Sequence, residues 1–190
     1  MLERAVQLAS TEGLDELSIG QLASEVGASK SGVATLFGSK LDLQLATIAS
    51  ARDVMIATVV QPALRQPRGL TRLWSLCQLW LGYSRGRVFE GGCFFRAVGR
   101  ASGGQHPSVR EALVEVDREW LAFLERAVEL ARDELAGVTD AQQLAFEIVA
   151  IMDGANNASL LHESDTFYEL ARVAIRDRLV AVGADASQLS

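Results

Sequence analysis

The stretch that most constrains the fold runs from Ile19 to Phe37, where two short segments with helical apolar spacing lie on either side of Gly27. Ser18 and Gln21 have the spacing of a capping box, which begins a helix. Gly27 can adopt the left-handed conformation that a tight turn between helices requires, and Ser29 is placed to cap the next helix. The pattern therefore predicts two short helices joined by a sharp turn. Their expected buried faces contain Ile19, Leu22, Ala23 and Val26, and then Val33, Leu36 and Phe37.

The outward face of the second predicted helix suits a helix that enters a DNA major groove. No Asp or Glu occurs between Val26 and Leu41. Bulky side chains would block the approach to the groove, and negative charge would be repelled by phosphate. Two packed helices with no DNA partner give the same local pattern, so both interpretations stay open. The outward residues are Lys30, Ser31, Gly32, Ala34 and Thr35.

Charge is distributed unevenly along the chain. The formal net charge is −6, and the only two lysines, Lys30 and Lys40, bracket the candidate recognition helix. Residues 1 to 45 nevertheless contain three cations and six acids. The basic surface is therefore small, and we expect useful DNA affinity to need two copies of it.

Composition and motifs exclude several other classes of protein. The chain has 190 residues, 49% of them apolar, which is enough for a sizeable core. No uninterrupted apolar run reaches the roughly 18 residues of a membrane span, and no signal peptide is visible, so we expect a cytoplasmic protein with no membrane partner. Cys77 and Cys93 are too few for a disulfide scaffold or zinc site. His106 and His162 are the only histidines, and no catalytic motif occurs, so we expect no enzyme activity, metal or cofactor.

The rest of the chain shows helical rather than strand periodicity. A short helix is expected from Cys93 to Ala101. A long central helix is expected from Pro107, with Gly137 closing it, because apolar residues cover a wide face at spacings of three and four. Thr139 and Gln142 have the spacing of another capping box. The sequence therefore predicts an all-α protein.

The segment from Ser18 to Leu43 resembles the tetracycline-repressor (TetR) family of bacterial transcription regulators. The block G-G-C-F-F that begins at Gly91 is similar to one branch of that family. The resemblance implies about nine helices, with a three-helix helix-turn-helix DNA-binding domain at residues 1–40 and a helical effector-binding and dimerisation domain at residues 41–190. The residues that match the family pattern are Ser18, Ala23, Gly27, Ser29, Lys30, Phe37, Ser39 and Lys40.

The resemblance also assigns roles in DNA binding. Ser18 and Lys40 would contact phosphate. Capping remains an alternative role for Ser18 and Ser29, and solvated charge remains an alternative for Lys30 and Lys40. The residues expected to face the groove are Ser29, Lys30, Ser31, Gly32 and Thr35.

Family resemblance further implies dimerisation through a four-helix bundle formed by the last two helices of each copy. Those helices are apolar on more than one side, although one face of each must also serve the chain's own core. The expected interface residues are Ile148, Ile151, Met152, Ala155, Ser159, Phe167, Leu170, Ala171, Ala174 and Ile175.

The resemblance to the TetR family also implies an effector pocket between the long helices. It would be mostly apolar, with Asn156 as a polar group, although the same aromatic side chains could simply fill the core. The expected lining residues are Trp74, Cys77, Leu81, Phe94, Phe95, Val98, Trp120, Phe123 and Asn156.

Together these features predict a ligand-responsive regulator, a repressor that binds a palindromic double-stranded DNA operator as a homodimer and is released by a small, mostly apolar effector. The alternative is a dimeric helical protein that binds a small molecule and has weakened or lost DNA recognition.

Overall fold

The computed structural model of the protein describes residues 1–99 and 106–189. Within those residues the chain is all α-helical with no strand, as expected, and nine α-helices are present when Lys40–Leu64 is counted as one helix. That helix contains a π-helical turn, Ile56–Val60. A short 3-10 turn, Ala186–Gln188, follows the last helix. The helices are α1 (Leu2–Glu12), α2 (Ile19–Glu25), α3 (Lys30–Phe37), α4 (Lys40–Leu64), α5 (Leu70–Arg85), α6 (Phe94–Gly99), α7 (Pro107–Glu129), α8 (Ala141–Leu161) and α9 (Thr166–Ala181).

The chain forms two compact units. The first contains Met1–Val54 and Arg87–Asp117, and the second contains Met55–Gly86 and Arg118–Ser190. The expected division into a DNA-binding domain at residues 1–40 and an effector-binding and dimerisation domain at residues 41–190 stays a prediction.

The first unit is built around α1, which packs against both α2 and α6. Leu14 and Leu17, in the connection after α1, are almost completely buried. The side-chain amide of Gln44 in α4 donates to the Leu14 carbonyl at 2.5 Å, which fixes that connection. Ser39 caps α4, because its Oγ accepts from the Asp42 amide at 3.1 Å. The three N-terminal helices therefore rest on a packed core.

The second unit is built around the antiparallel pair α8 and α9, which pack against α5. Trp80 of α5, Ile148 of α8 and Ile175 of α9 are each at most 2% exposed. These buried side chains form the core that aligns α8 with α9.

Two predicted helix boundaries are wrong. α7 ends at Glu129, well before Gly137, and the chain continues in turns. The physical reason is tertiary, because Leu135 is fully buried and the Gly137 amide donates to the Val182 carbonyl at 2.9 Å. Asp140 caps α8 by accepting from the Gln143 amide at 3.0 Å, one residue beyond the capping box expected at Thr139 and Gln142.

The short helix expected between Cys93 and Ala101 is present as α6 over Phe94–Gly99. Its predicted end at Ala101 lies outside the described residues.

One helix, Lys40–Leu64, is long and apolar enough to cross a membrane if only length and composition are considered. The core helices of soluble proteins meet the same criterion, so one such helix is weak evidence. Arg52 and Asp53 also lie near its middle. The absence of a membrane partner stays a prediction.

Candidate DNA-binding surface and regulatory elements

The turn between α2 and α3 is organised by the local signals that the sequence contains. Ser18 Oγ accepts from the Gln21 amide at 3.2 Å, and Ser29 Oγ accepts from the Gly32 amide at 3.1 Å. Gly27 has a φ of +64°, as the tight turn requires. The Gln21 side chain donates to Glu12 at 2.6 Å and does not return to Ser18, so only half of the capping box forms. The predicted pair of capped helices is therefore confirmed.

The outward face of α3 differs from the prediction at Leu36, which is exposed, and at Ala34, which is half-buried. Val33 is fully buried, but Leu36 is 63% exposed although the periodicity placed it in the core. Leu36 lies four residues after Gly32 and shares its exposed helix face. Phe37 is half-buried, so the core contact of α3 is narrower than predicted. The exposed residues of α3 are Lys30, Ser31, Gly32, Thr35 and Leu36.

Hydroxyl groups on this face are hydrogen-bonded within α3 and its cap. Thr35 Oγ1 donates to the Ser31 carbonyl at 2.8 Å. Ser31 Oγ lies 3.3 Å from Ser29 Oγ. A Cβ added at Gly32 would lie 3.1 Å from Ser29 Oγ, so the cap favours a residue without a side chain there. The hydroxyl groups of this surface therefore already have partners within the helix or its cap.

Both lysines are exposed. The Cε of Lys30 lies 4.0 Å from the position of a Cβ added at Gly20, so the Lys30 stem passes over the first turn of α2. The Lys40 ammonium donates to the Asp15 carbonyl in the turn before α2. Positive charge therefore stands at both ends of α3, in the stretch without carboxylates.

The residues expected to line an effector pocket are divided between the two units. In the second unit, burial in an apolar environment raises the pKa of Cys77 to about 12, which keeps this thiol protonated at neutral pH. The common role of the expected lining residues in binding an effector stays a prediction. Trp74, Cys77, Leu81, Trp120 and Asn156 of the second unit are buried, as are Phe94 and Val98 of the first, whereas Phe95 and Phe123 are half-buried.

Asn156 belongs to a buried polar cluster that joins α5, α8 and α9. Ser84 Oγ donates to Asn156 Oδ1 at 2.8 Å and lies 2.9 Å from the Tyr168 hydroxyl. Ser159 Oγ lies 2.9 Å from the same hydroxyl. Asn156 was predicted to line the effector pocket and Ser159 to lie at the dimer interface, whereas Ser84 and Tyr168 were not predicted to have a role. Nothing in the local spacing connects these residues, because Ser84 lies 72 residues before Asn156.

The residues expected at the dimer interface also divide into two sets. One set faces the core of the chain and the other lies at the surface, where Leu170 is 59% exposed. A shallow groove between α8 and α9 is lined by Ile151, Gly154, Ala155, Phe167, Leu170, Ala171 and Ala174. Ile148, Met152, Ala155, Ser159, Ala171 and Ile175 are buried, Ile151 and Phe167 are half-buried, and Ala174 is exposed like Leu170.

Further exposed apolar side chains lie on these two helices and were not assigned from sequence. Their helical spacing alone did not distinguish a core face from a solvent face. They are Phe146, 58% exposed, Leu161, 79% exposed, Val173, 45% exposed, and Val180, 37% exposed.

Ion pairs connect α9 to its neighbours. Arg178 contacts Glu147 of α8 at 2.5 Å, and Arg85 of α5 contacts Glu169 at 2.9 Å. Hydrogen bonds from Arg178 and then Gln143 hold the pKa of Glu147 below its usual value. The pKa of Glu169 is lowered as well, chiefly by a hydrogen bond from its neighbour Arg172.

The described residues combine a capped helix-turn-helix with further helices, an arrangement that is typical of one class of DNA-binding regulators. The family model described as "Tetracyclin repressor-like, C-terminal domain" matches residues 69–175, more than half of the chain. The chain belongs to the tetracyclin repressor-like (TetR) family of transcription regulators. No curated protein shows significant sequence similarity to it.

Solved structures of this family are similar over almost the whole chain. A TetR-family regulator from Agrobacterium tumefaciens has a TM-score of 0.82 and 18% identity over 96% of this chain and 95% of that chain. A TetR regulator from Chloroflexus aurantiacus J-10-FL has a TM-score of 0.79 and 25% identity over 92% and 91%. AibR, solved in complex with isovaleryl coenzyme A and operator DNA, has a TM-score of 0.66 and 17% identity over 82% and 83%.

Proposed function

We propose that this chain is a ligand-responsive repressor that binds a palindromic operator as a homodimer and is released by a small, mostly apolar effector. The observation that carries the proposal is the exposed face of α3, which has no carboxylate and is bracketed by Lys30 and Lys40. Phosphate groups on either side of a major groove attract such cations. The exposed α3 residues between them are small enough, apart from Leu36, for close approach to base edges.

Each predicted DNA-binding residue has a role in this proposal. Lys40 contacts phosphate, which requires its ammonium to exchange the Asp15 carbonyl for the DNA backbone. Ser18 contacts phosphate while its Oγ still caps α2. The groove-facing set is Ser29, Lys30, Ser31, Gly32 and Thr35.

Dimerisation supplies the second copy of this small basic surface. A palindromic operator presents half-sites about 34–36 Å apart and is matched by a two-fold symmetric pair of recognition helices. The apolar surface of α8 and α9, with Leu161 79% exposed and Leu170 59% exposed, supports a helical-bundle interface there. Association would remove these side chains from water.

An effector would act by preferring one conformation of the dimer. A ligand that binds more tightly when the two recognition helices no longer match the operator spacing shifts the population away from DNA. The aromatic and apolar character of the predicted lining residues supports a mostly apolar effector. AibR, solved with both isovaleryl coenzyme A and operator DNA, is a relative of the same fold that binds a small molecule and DNA together.

Selection of bound sites from random duplex DNA tests the proposal. The wild-type chain is expected to enrich one palindrome. Lys30→Ala is expected to weaken binding and to reduce the slope of log affinity against log salt by about two, because each copy in the dimer loses one cation. Arg68→Ala is the matched control, because Arg68 is an exposed cation of the second unit. Binding that is unchanged in Lys30→Ala, or reduced equally in both variants, would contradict the assignment of α3.

The second candidate function is a dimeric small-molecule-binding protein that has lost DNA recognition. The excess of acids over cations in residues 1 to 45 favours it. Failure to enrich any duplex, together with a dimer that still binds small apolar molecules, would select this alternative.

A further inference from the structure

The chemistry of α3 limits how it can recognise bases. Its sequence, K-S-G-V-A-T-L-F, contains no Asn, Gln or Arg. Those side chains make the bidentate hydrogen bonds that identify adenine and guanine in the major groove. It also has no Asp or Glu to accept from cytosine. Apart from Lys30, only the hydroxyl groups of Ser31 and Thr35 in α3 can hydrogen-bond to bases.

The Thr35 side chain is oriented by its own helix. Its hydroxyl donates to the Ser31 carbonyl at 2.8 Å, so the donor is already used. The γ-methyl group of this exposed side chain takes no part in that hydrogen bond. Thr35 therefore has its methyl group and an accepting hydroxyl oxygen left for contact with a partner.

Leu36 extends the same apolar surface. It is 63% exposed, in a stretch that holds two lysines and no carboxylate. An apolar side chain gains nothing from exposure to water, whereas contact with an apolar group on a partner removes it from water. We call Thr35 and Leu36 the methyl pair.

We propose that the methyl pair recognises thymine in each operator half-site through contact with the C5-methyl group. The inference rests on the proposed DNA binding. Thymine is the base that carries a methyl group in the major groove, and apolar side chains recognise it there. Lys30 and Lys40 bracket the pair in the sequence and have the charge that neutralises the flanking phosphates. Attraction between these lysines and the phosphates thus places the methyl pair in the major groove, and contact with the C5-methyl group selects thymine.

Deoxyuridine tests the contact directly because it differs from thymidine only in lacking that methyl group. In the operator obtained by selection, each thymine is replaced singly by deoxyuridine, and dissociation constants are measured with fluorescent duplexes. For wild type, binding is expected to weaken about fourfold at one or two thymines of each half-site, as for loss of one buried methyl group.

Two variants identify the protein side of the contact. Thr35→Ser removes only the γ-methyl group and keeps the hydroxyl that donates to Ser31. Leu36→Ala removes most of the exposed apolar side chain. At the thymine that the substituted residue contacts in the wild type, each variant is expected to bind the thymine duplex and the deoxyuridine duplex equally. Leu130→Ala is the control, because Leu130 is 52% exposed and lies outside α3, and it is expected to keep the wild-type sensitivity.

The outcomes separate the two proposals. A wild-type protein that binds its selected duplex but tolerates deoxyuridine at every position overturns the thymine contact and leaves DNA binding intact. The same conclusion follows if Thr35→Ser and Leu36→Ala both keep the wild-type sensitivity. A protein that selects no duplex contradicts the proposed function and this inference together. Melting temperatures equal to that of wild type show that the exposed substitutions leave the fold intact.

Discussion

Gly91 lies against Ser10 of α1 so closely that a Cβ at residue 91 would be 1.8 Å from the Ser10 carbonyl oxygen. The Gly91 amide donates to Ser10 Oγ at 3.2 Å. One turn earlier, the side-chain amide of Gln7 donates to the Val88 carbonyl at 3.0 Å and accepts from the Glu90 amide at 2.9 Å. The segment from Val88 to Gly91 is therefore fixed to the first helix of the helix-turn-helix. Within the first unit, these contacts join a distant part of the sequence to the DNA-binding helices.

Gly91→Ala is expected to destabilise the protein by about 1–3 kcal/mol, because the new methyl group overlaps backbone that cannot move without breaking these hydrogen bonds. The free energy of unfolding is measured by urea denaturation. Gly82→Ala is the control, since no atom lies within 4 Å of a Cβ added to this exposed residue of α5. At residue 82, the higher helix propensity of alanine is expected to raise the free energy of unfolding by about 0.5–1 kcal/mol. Equal effects of the two substitutions would show that the contact at Gly91 is not tight.

Local signals made the helix-turn-helix predictable. Ser18 and Ser29 cap their helices through atoms three residues away, and Gly27 forms the turn by its own conformation. None of these interactions depends on a distant part of the chain. The sequence alone was therefore sufficient for this part of the candidate site.

Features that depend on distant residues were not predictable. Helical spacing correctly predicted that Val33 is buried, but it also predicted that Leu36 is buried. Spacing alone does not show how much of the α3 surface a neighbouring helix covers. The end of α7 depends on the burial of Leu135, and the role of Asn156 depends on Ser84 in another helix. In each case a tertiary contact overrides or completes the local pattern.

Leu170→Asp is expected to shift the chain from dimer to monomer while leaving its fold intact. Leu170 is 59% exposed in the single chain, so a carboxylate there remains solvated until two copies associate. Sedimentation velocity over a range of concentrations measures the association. Val114→Asp is the control, because Val114 is 44% exposed and lies on α7. A Leu170→Asp protein that associates as strongly as wild type would contradict an interface formed by α8 and α9.

The ion pair between Glu147 and Arg178 is expected to make stability depend on pH. Hydrogen bonds from Arg178 and Gln143 lower the pKa of Glu147 in the folded state. The charged carboxylate therefore stabilises the folded protein fully above the unfolded-state pKa of about 4.3. This stabilisation is lost as the pH falls through the lower folded-state pKa. Both side chains are partly exposed, so the contribution is expected to be about 0.5–1 kcal/mol.

Urea denaturation of wild type and Glu147→Gln between pH 3 and pH 7 measures this dependence. The difference between the two proteins is expected to be constant near neutral pH and to shrink towards pH 3. In an Arg178→Gln background, Glu147→Gln should have a smaller effect, because only the hydrogen bond from Gln143 is left to lose. A difference that persists unchanged at pH 3 would show that the carboxylate charge is not responsible.

Tyr168→Phe is expected to destabilise the second unit by about 1–2 kcal/mol, because it removes the hydroxyl that Ser84 and Ser159 share in a buried cluster. The volume is conserved, so the effect reports the hydrogen bonds and not a cavity. Adding Ser84→Ala to Tyr168→Phe should cost less than the sum of the two single substitutions, since the second change removes a buried polar group that the first has deprived of a partner. Strict additivity in urea denaturation would mean that the hydroxyl groups act independently and that the cluster does not couple α5 to α9.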